Sequence, residues 1–435
     1  MNYRLAPVAA LLCFVAAPAG AAMSDRQVDE AAKRVEAKVV TWRRDFHQHP
    51  ELGNREFRTS QKVAAHLESL GLEVRKGVAH TGVVGVLRGG RPGPVIALRA
   101  DMDALPVTEQ VALPFKSQVT AEYRGEKVGV MHACGHDAHT AILMGAAEAL
   151  VAMRAELPGT VLFVFQPAEE GAPDGEQGGA PLMLEQGLFE GSKPDAMFGL
   201  HVWAPLHAGQ IGYRSGPLMA ASDRYRIVVK GRQTHGSSPW RGVDPIVVAS
   251  QIVLGMQTIV SRQVDPTSWP AVLSVGAIKG GIRNNIIPDS VELVGTFRTF
   301  DTGVRQQIID RLTRTALDIA SSAGASAEVE IATDNNPVLV NDAALTERML
   351  PTLERAAGAG NVLEIPFVTA AEDFAFFAAS IPSLYFFVGS TPPGQDTATA
   401  PSNHSPSFYL DEASLQAGVK AMVGLAVDYL QGTAR

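Results

Sequence analysis

The chain has 435 residues, of which 46% are hydrophobic and 19% are charged, a composition typical of a globular protein long enough to form two domains. Its 37 basic and 45 acidic residues give a formal net charge of -8. No basic run or tail offers the surface that binds phosphate backbones, so we exclude nucleic acid as a partner.

The first residues have the pattern of a cleavable export signal. Arg4 precedes the apolar run LAPVAALLCFVAAPAG, and the small residues Ala19-Gly20-Ala21 follow it. This pattern predicts a signal peptide over residues 1–21 and a secreted, periplasmic protein. The run is shorter than the roughly 20 apolar residues that cross a bilayer, so we expect no stable membrane anchor.

Removal of the signal would leave Cys134 as the one cysteine of the mature chain. A single thiol cannot form an intramolecular disulfide, and an oxidising compartment exposes it to unwanted reactions. Metal ligation would protect it, because a coordinated thiolate is no longer a free nucleophile. A buried, inert cysteine is the alternative that this residue alone leaves open.

Polar side chains follow three apolar, strand-like segments. These segments are PVIALRADMDA, TVLFVFQPAEEG and DAMFGLHVW, the last with His201 near its end. Strand-like and helix-like runs alternate along the chain, which predicts an α/β protein. Because ligands of such proteins bind beyond the carboxyl ends of the strands, the three ends predict one shared site.

Residues 216–336 have the pattern of a separate unit. A strand, a helix, two strands, a helix and a final strand follow one another there, which is the order of a ferredoxin-like sandwich. The chain then returns to the first unit. We therefore expect a discontinuous catalytic domain, formed by residues 24–215 and 337–435, with residues 216–336 inserted into it.

The stretch MHACGHDAHT, residues 131–140, contains three histidines, a cysteine and an aspartate. Apolar residues at helical spacing begin at Ala141, so we expect the stretch to be the loop that enters a helix. Thiolate, imidazole and carboxylate are the groups that bind zinc or manganese. Further donors of these types lie far away in sequence, and together they predict a two-metal site that activates water: Glu169, Glu170, His201 and His404.

The motifs as a set have a family resemblance. They are DFHQHPELGNREFRTS, LRADMDALPVTE, MHACGHDAHTA, FQPAEEG, GLHVW, GRQTHGSSPWRGVDP, NNIIPD, EDFAFF and NHSPSFYLDE. In this order and spacing the chain strongly resembles the zinc-dependent aminoacylase and carboxypeptidase clan of metallopeptidases, and most of all its hippurate hydrolase and auxin-conjugate amidohydrolase branch. The resemblance implies an α/β fold, in which a mixed-sheet metallopeptidase catalytic domain carries an inserted ferredoxin-like α+β lid and dimerisation domain.

The same resemblance implies a set of ligands for two divalent metal ions per subunit, zinc or manganese. We expect Cys134 to bridge the ions, where the peptidase relatives often have an aspartate. His136 and His201 would complete one site, and Glu170 and His404 the other. Glu169 would then be the general base that accepts a proton from water and passes it to the leaving amine.

Several polar neighbours of these residues have other expected roles. Asp103 matches an aspartate that orients a histidine ligand, with a strand-end cap as the alternative. Asp101 takes the place of a histidine ligand of the peptidases, and we expect it to be structural. For His132 and His139 we expect hydrogen-bonded packing of the loop.

Glu169 and Glu170 pose a geometric question, because neighbouring residues of a strand point to opposite faces. Both side chains reach one site only if the strand ends before them. Pro167 and Gly171 on either side favour such an end, since proline cannot donate to a strand ladder and glycine permits sharp turns. An exposed acidic turn is the alternative.

Three residues of the inserted unit match positions that bind the substrate in relatives. His235 would act as a catalytic residue, reaching the substrate carbonyl across a dimer interface. Asn285 would bind the carbonyl or carboxylate of the substrate, and Arg298 its carboxylate, which guanidinium groups bind in bidentate fashion. All three residues could instead be ordinary residues of a sheet surface.

The resemblance therefore implies a metal-dependent amidohydrolase that cleaves the amide bond of N-acyl amino acids and forms a homodimer or a higher oligomer. A dipeptidase or carboxypeptidase, or a deacetylase of amino-acid metabolites, would use the same metals on another substrate. A periplasmic protein that binds small acids without turnover belongs to a different class. The loss of Glu169 or of a ligand would indicate that class, and none of these residues is lost.

Overall fold

The computed structural model describes residues 23–332 and 336–432, so the predicted signal peptide lies outside the described residues. The helices of this part of the chain are α1 (Asp25–Gln48), α2 (Phe57–Ser69), α3 (His136–Ala152), α4 (Gly179–Glu185), α5 (Pro245–Thr258), α6 (Thr302–Ser322), α7 (Ala343–Ala357), α8 (Phe374–Ala378) and α9 (Ala413–Gln431).

The strands of the first half are β1 (Glu73–Val78), β2 (Gly82–Arg88), β3 (Arg91–Asp101), β4 (Thr120–Tyr123), β5 (Glu126–Gly129), β6 (Pro158–Gln166), β7 (Ala196–His207), β8 (Ile211–Tyr213) and β9 (Gly216–Met219). Those of the second half are β10 (Ala221–Lys230), β11 (Thr234–His235), β12 (Ala271–Gly280), β13 (Ile286–Ile287), β14 (Ser290–Thr299), β15 (Ser326–Ile331), β16 (Leu339–Asn341), β17 (Val362–Glu364) and β18 (Ser383–Thr391).

The catalytic domain is built on an eight-stranded mixed sheet in the order β1-β2-β6-β3-β7-β18-β8-β17. Its four central strands, β6, β3, β7 and β18, are parallel to one another. Helices α3 and α9 contact one face, and the short helices α4 and α8 contact strands from the other side. Burial on both faces explains the nearly continuous apolar runs of these strands. This architecture confirms the predicted α/β, mixed-sheet fold.

The inserted unit, which we call the lid, has a four-stranded antiparallel sheet in the order β12-β14-β10-β15. Helices α5 and α6 pack on it, which gives the ferredoxin-like arrangement expected from the sequence. Both helices begin at an aspartate, Asp244 or Asp301, whose side chain accepts backbone N–H groups. The lid sheet starts at Ala221 rather than at Gly216, because β9 pairs with β16 of the catalytic domain.

The lid exposes several apolar side chains, among them residues of helix α5 and of strand β12. Ile246, Val247 and Leu254 of α5 are exposed, as are Val272 and Ile278 of the edge strand β12. Among the described residues, one helical stretch, 245–263, has the length and composition of a membrane span, and about a third of it is buried. Its buried residues pack on the lid sheet, so the exposed ones form a surface feature of a folded unit.

An aromatic cluster links the lid to the catalytic domain. The ring of Phe367, from the second part of the catalytic domain, lies 4.8 Å from that of Phe300 and 5.9 Å from that of Trp269. The guanidinium group of Arg214 stacks on Phe367 at 3.9 Å from the ring centroid. These contacts join the lid to both parts of the catalytic domain.

Candidate metal centre

Cys134 and His136 are brought together by a glycine between them. Gly135 has φ of 96°, and a Cβ atom there would lie 2.2 Å from a methyl group of Val202. The left-handed backbone at Gly135 therefore turns the chain directly into α3, whose first residue is His136. The expected loop over residues 131–140 is thus wrong in its second half, because the helix begins at His136 and not near Ala141.

His201 lies inside β7 and not near its end as the sequence suggested, since the strand continues to His207. The ladder between β7 and β3 ends earlier, at Gly199, while β7 stays paired with β18. His201 is therefore beyond the last residue that β3 pairs with. The side chain thus reaches the site where the ladder between β3 and β7 has ended, although both strands continue.

The five expected ligands lie close together. The Cys134 sulfur is 3.2 Å from His201 Nε2 and 3.2 Å from His404 Nε2. Glu170 Oε1 is 3.0 Å from His404 Nε2 and 4.0 Å from His136 Nε2. Donor atoms on one tetrahedral zinc ion are about 3.5 Å apart, given bonds of about 2.0–2.3 Å.

Two groups of three donors share the cysteine. Cys134, His136 and His201 form one group, and Cys134, Glu170 and His404 form the other, with all donor atoms of each group within 4.8 Å of one another. This division matches the arrangement expected from the resemblance, in which a bridging thiolate joins two ions.

The hydrogen bonds of the histidines fit a metal. His136 is fully buried, and its Nε2 atom has no hydrogen-bond partner among the described residues, while its Nδ1 atom lies near Asp103. His201 donates its Nδ1 hydrogen to the carbonyl oxygen of Val202 at 2.6 Å, which leaves a lone pair on Nε2. A buried ring nitrogen without a partner is costly, and a cation at Nε2 would remove that cost.

The charges of the site also favour a bound cation. Burial, followed by the charges of Glu170 and Glu169, raises the pKa of the Cys134 thiol well above its usual range. A thiol in this setting becomes a thiolate only if positive charge offsets the carboxylates, which is what a divalent ion does for its ligands. The residues present therefore fit a metal centre.

Asp103 holds the backbone from which the two glutamates project. Its two carboxylate oxygens each accept one N–H group, from Glu169 at 3.0 Å and from Glu170 at 3.0 Å. Oδ1 also lies 3.4 Å from Nδ1 of His136, the position expected for a group that orients this histidine. Strand β6 ends at Gln166, so the two glutamates are not neighbours in a strand and both reach the centre.

Glu169 lies against a buried acidic group that the sequence analysis did not identify. Its carboxylate is within 4.8 Å of those of Glu372 and Asp373. Burial, followed by the charge of Glu372, raises the pKa of Glu169 well above its usual range. Burial also raises the pKa of Asp373 to about 8, despite the opposing charge of Arg99.

Arg99 anchors this acidic group. It is fully buried and donates to Asp101 at 2.7 Å, to Glu372 at 2.8 Å and to Asp373 at 3.1 Å. The sequence feature that indicates this acidic group is an arginine inside the apolar segment PVIALRAD, because a buried guanidinium requires carboxylate partners.

The other histidines of the region differ from one another. His139 donates to Asp101 at 2.6 Å and accepts the N–H group of Val202 at 2.8 Å, so both nitrogens are used in packing as expected. Asp101 is occupied by His139 and Arg99, in keeping with a structural role. For His132 the expectation is wrong, because neither of its buried ring nitrogens has a hydrogen-bond partner among the described residues.

A cavity of about 230 Å³ opens beside the metal ligands. Its lining includes Cys134, Glu169, Glu170, His201 and His404. The apolar part of the lining, which we call the apolar wall, contains Trp203, Pro205, Met219 and Phe387. The cavity thus combines a small polar centre with an apolar wall, as is usual for sites that bind small molecules.

The structure brings two of the three lid candidates together, but away from this cavity. His235 in β11 pairs with Ile286 of β13, and the carbonyl of Asn285 accepts the N–H group of Gly236 at 2.8 Å. His235 and Asn285 are both exposed, and neither lines the cavity. Arg298 lies in β14, where burial lowers the pKa of its guanidinium group, and its Nη1 atom has no hydrogen-bond partner among the described residues.

Known proteins resemble the whole chain. It is 40% identical over 398 residues to thermostable carboxypeptidase 2 of Saccharolobus solfataricus, which covers 91% of this chain and 96% of that protein. It is 39% identical to IAA-amino acid hydrolase ILR1-like 4 of Arabidopsis thaliana, over 90% of this chain and 86% of that one. A solved dinuclear metal-binding peptidase of the M20 family from Bacillus subtilis superposes with a TM-score of 0.75 and 37% identity, over 92% and 99% of the two chains.

The sequence model of one family matches most of the described chain. It is the model of peptidase family M20/M25/M40, and the match covers residues 97–428. That range includes every expected metal ligand, the expected base and the lid. The chain belongs to peptidase family M20/M25/M40 and is a metal-dependent amidohydrolase.

Proposed function

We propose that the protein is a secreted, periplasmic enzyme that hydrolyses the amide bond of N-acyl amino acids with an apolar acyl group, such as hippurate-like conjugates. The observation that carries this proposal is the apolar wall of Trp203, Pro205, Met219 and Phe387 beside the expected ligands. An aromatic or aliphatic acyl group gains from burial there, at about 25 cal/mol per Å² of apolar surface. The plant relative named as an IAA-amino acid hydrolase supports the same substrate class.

In the mechanism that we propose, Cys134, His136, Glu170, His201 and His404 hold two divalent ions, zinc or manganese. The ions would polarise the amide carbonyl and make water more acidic. Glu169 accepts a proton from the attacking water and later donates it to the leaving amine. Asp103 keeps Glu169 and Glu170 aimed at the centre through their backbone N–H groups.

The lid residues would complete the site in a dimer. In a neutral His235 the ring proton is on Nε2, since Nδ1 accepts the N–H group of Ser237 at 3.0 Å. Nε2–H is thus a donor suited to a developing oxyanion. We propose that it reaches the cavity of the partner subunit, with Asn285 beside it. The Nη1 atom of Arg298, which has no hydrogen-bond partner in the described part of the chain, suits the carboxylate of the amino-acid part.

The dimer itself is proposed from the exposed surface of the lid. Strand β12 is at the edge of its sheet, and apolar residues of α5 are exposed. Edge strands with exposed apolar neighbours pair readily with a second copy. Sedimentation of the mature protein should therefore give twice the monomer mass, and a charged replacement, Ile278→Lys, should give monomers.

The experiment that tests the substrate class is a panel of N-benzoyl, N-acetyl and indole-acetyl amino acids and of dipeptides, each measured as kcat/KM with the mature, metal-loaded protein. We expect the aromatic acyl conjugates to be the best substrates. Trp203→Ala should lower kcat/KM for them and leave N-acetyl substrates unchanged, since an acetyl group is too small to cover the apolar wall. A clear preference for dipeptides would favour the carboxypeptidase alternative, which the Saccharolobus relative represents.

A further inference from the structure

The segment Gly53-Asn54-Arg55-Glu56 contacts the loop that contains Glu169 and Glu170. A Cβ atom on Gly53 would lie 2.7 Å from the carbonyl oxygen of Gly171, so only glycine permits this approach. Asn54 donates to the carbonyl oxygen of Gln177 at 2.9 Å. Both contacts join the segment between α1 and α2 to the loop between β6 and α4.

Glu56 makes the innermost contact of the segment. It is fully buried, and its Oε1 atom accepts the N–H group of Ala168 at 2.9 Å. The hydroxyl group of Thr81 donates to Oε2 at 2.6 Å, which fixes the orientation of the carboxylate. The function described above assigns no role to Glu56.

Ala168 has an unusual backbone, with φ of 51°. The left-handed region disfavours residues that carry a Cβ atom, so the surrounding structure must hold Ala168 there. This residue immediately precedes Glu169. Its conformation sets the direction of the backbone between the end of β6 and the two glutamates.

Three successive N–H groups of this turn are accepted by two carboxylates. Asp103 accepts the N–H groups of Glu169 and Glu170, one on each oxygen, and Glu56 accepts that of Ala168. A buried N–H group without an acceptor is costly, and Glu56 is the residue that supplies the acceptor.

We propose that Glu56 is a positioning residue, which holds the left-handed turn at Ala168 and thereby aims Glu169 at the substrate and Glu170 at the metal. The proposal rests on the proposed function for the role of Glu169. Its part that concerns Glu170 can be tested by metal binding alone. What Glu56 supplies is an acceptor atom at a fixed distance from the backbone, and not a charge.

Two single substitutions separate reach from charge. Glu56→Gln keeps the length of the side chain and an amide oxygen that accepts the Ala168 N–H group, but it cannot ionise. Glu56→Asp keeps the ionisable carboxyl group but is one methylene shorter, so its oxygens withdraw from Ala168. As a control, Asp428→Asn changes a buried carboxylate that also accepts a threonine hydroxyl, from Thr352 at 2.6 Å, on helix α9 and away from the cavity.

Zinc affinity of the metal-free, full mature protein is measured first, by competition with a chromophoric chelator. We expect Glu56→Asp to weaken the binding of at least one zinc ion tenfold or more, and Glu56→Gln and Asp428→Asn to stay within threefold of the wild type. Circular dichroism and thermal melting show that each variant is folded. Wild-type zinc affinity in a folded Glu56→Asp protein would overturn the role in aiming Glu170, and equal losses in both Glu56 variants would overturn the acceptor argument.

Turnover of the best N-acyl amino acid, at saturating zinc, is the second measurement. We expect kcat of Glu56→Asp to fall tenfold or more while KM changes less than threefold, because the substrate contacts are intact and the base is displaced. A change in KM of more than threefold alongside the fall in kcat, or no fall in kcat, contradicts the proposal. If the wild type hydrolyses no N-acyl amino acid, the proposed function fails, and the zinc measurement still decides the role of Glu56.

Discussion

In the catalytic domain, Cys134, His136 and His201 are buried and their donor atoms converge within one chain, whereas His235 and Asn285 of the lid are exposed and lie outside the cavity. The difference follows from burial. A buried polar side chain must find a partner, so the position of each catalytic-domain residue shows what it binds. The exposed side chain of His235 contacts its neighbour Ser237, and its position gives no indication of what else it binds.

The largest expected effect concerns the catalytic domain and is the removal of metal. Prolonged chelation should abolish hydrolysis and lower Tm, because bound ions stabilise the folded state. Added zinc or manganese should restore both. Full activity in protein that elemental analysis shows to be free of metal would contradict the metal site of the catalytic domain.

Glu169→Gln should keep the metal and lose about 10²–10⁴-fold in kcat, the usual contribution of a general base. The amide still fits among the carboxylates, but it cannot accept the proton of water. Elemental analysis and kcat are the measurements, and Glu185→Gln, an exposed change on α4, is the control. A variant with near-normal turnover would place the base elsewhere.

His235→Ala should reduce kcat by about 10²–10³-fold, the usual loss for one oxyanion donor, and leave the metal content unchanged. If the lid completes the site of the partner subunit, as proposed, mixing this variant with Glu169→Gln under conditions of subunit exchange should restore activity. Each mixed dimer has one intact site, so up to about half of the wild-type rate is expected. Differentially tagged mixed dimers that remain inactive would exclude action across the interface.

Arg298→Ala should mainly raise KM. A charge-assisted hydrogen bond contributes about 1.5–3 kcal/mol, which corresponds to roughly a 10–100-fold weaker affinity for the substrate carboxylate. Arg298→Lys should recover part of the loss, since it restores the charge but not the bidentate geometry. An unchanged KM for amino-acid conjugates, compared with conjugates whose carboxylate is amidated, would show that the carboxylate is bound elsewhere.

The smallest effect is expected at Glu412. Its carboxylate pairs with Arg44 at 2.6 Å and so links α1 to the start of α9. Burial raises the pKa of Glu412, but hydrogen bonding from Arg44 and the charge of Arg43 outweigh burial and lower it. Its contribution is therefore complete above the unfolded pKa and is lost as the pH falls through the lower, folded pKa.

Glu412→Gln should then cost about 0.5–1 kcal/mol of unfolding free energy at pH 7 and nothing in kcat, as is usual for a pair near the surface. Urea denaturation at a series of pH values is the measurement, and we expect the gap between wild type and variant to close below about pH 4. Glu30→Gln, in the exposed pair with Arg26, should have no such effect. A gap that persists at low pH would assign the stabilisation to packing.

The fold and the cluster of expected ligands were predictable because both follow from local patterns. Apolar strands that end in polar residues, and donor types of one chemical kind, are visible in the sequence without any knowledge of contacts. The lid was predictable for the same reason, from the order of its strands and helices, although its first strand begins at Ala221. The helix start at His136 was missed because the left-handed turn at Gly135 has no signature in apolar spacing.

The partners of Arg99 and the role of Glu56 could not be predicted. Arg99 pairs with Glu372, 273 residues away, and Glu56 accepts from Ala168, 112 residues away. Periodicity and spacing describe a single element, whereas these contacts depend on which elements the sheet order places side by side. The sequence also did not predict that His235 and Asn285 lie outside the cavity, because a motif gives no information about the surface that completes a site.

The two strands that connect the lid to the catalytic domain, β9 and β16, pair with each other. Met219 of β9 and Leu339 of β16 are directly paired, so the entry and the exit of the lid meet as the two arms of a hairpin. Such arms can be closed by a turn of about two residues. The lid is therefore positioned as an insertion at the tip of a hairpin, and excising residues 220–338 with a short turn in their place would leave the catalytic sheet with its strand order unchanged.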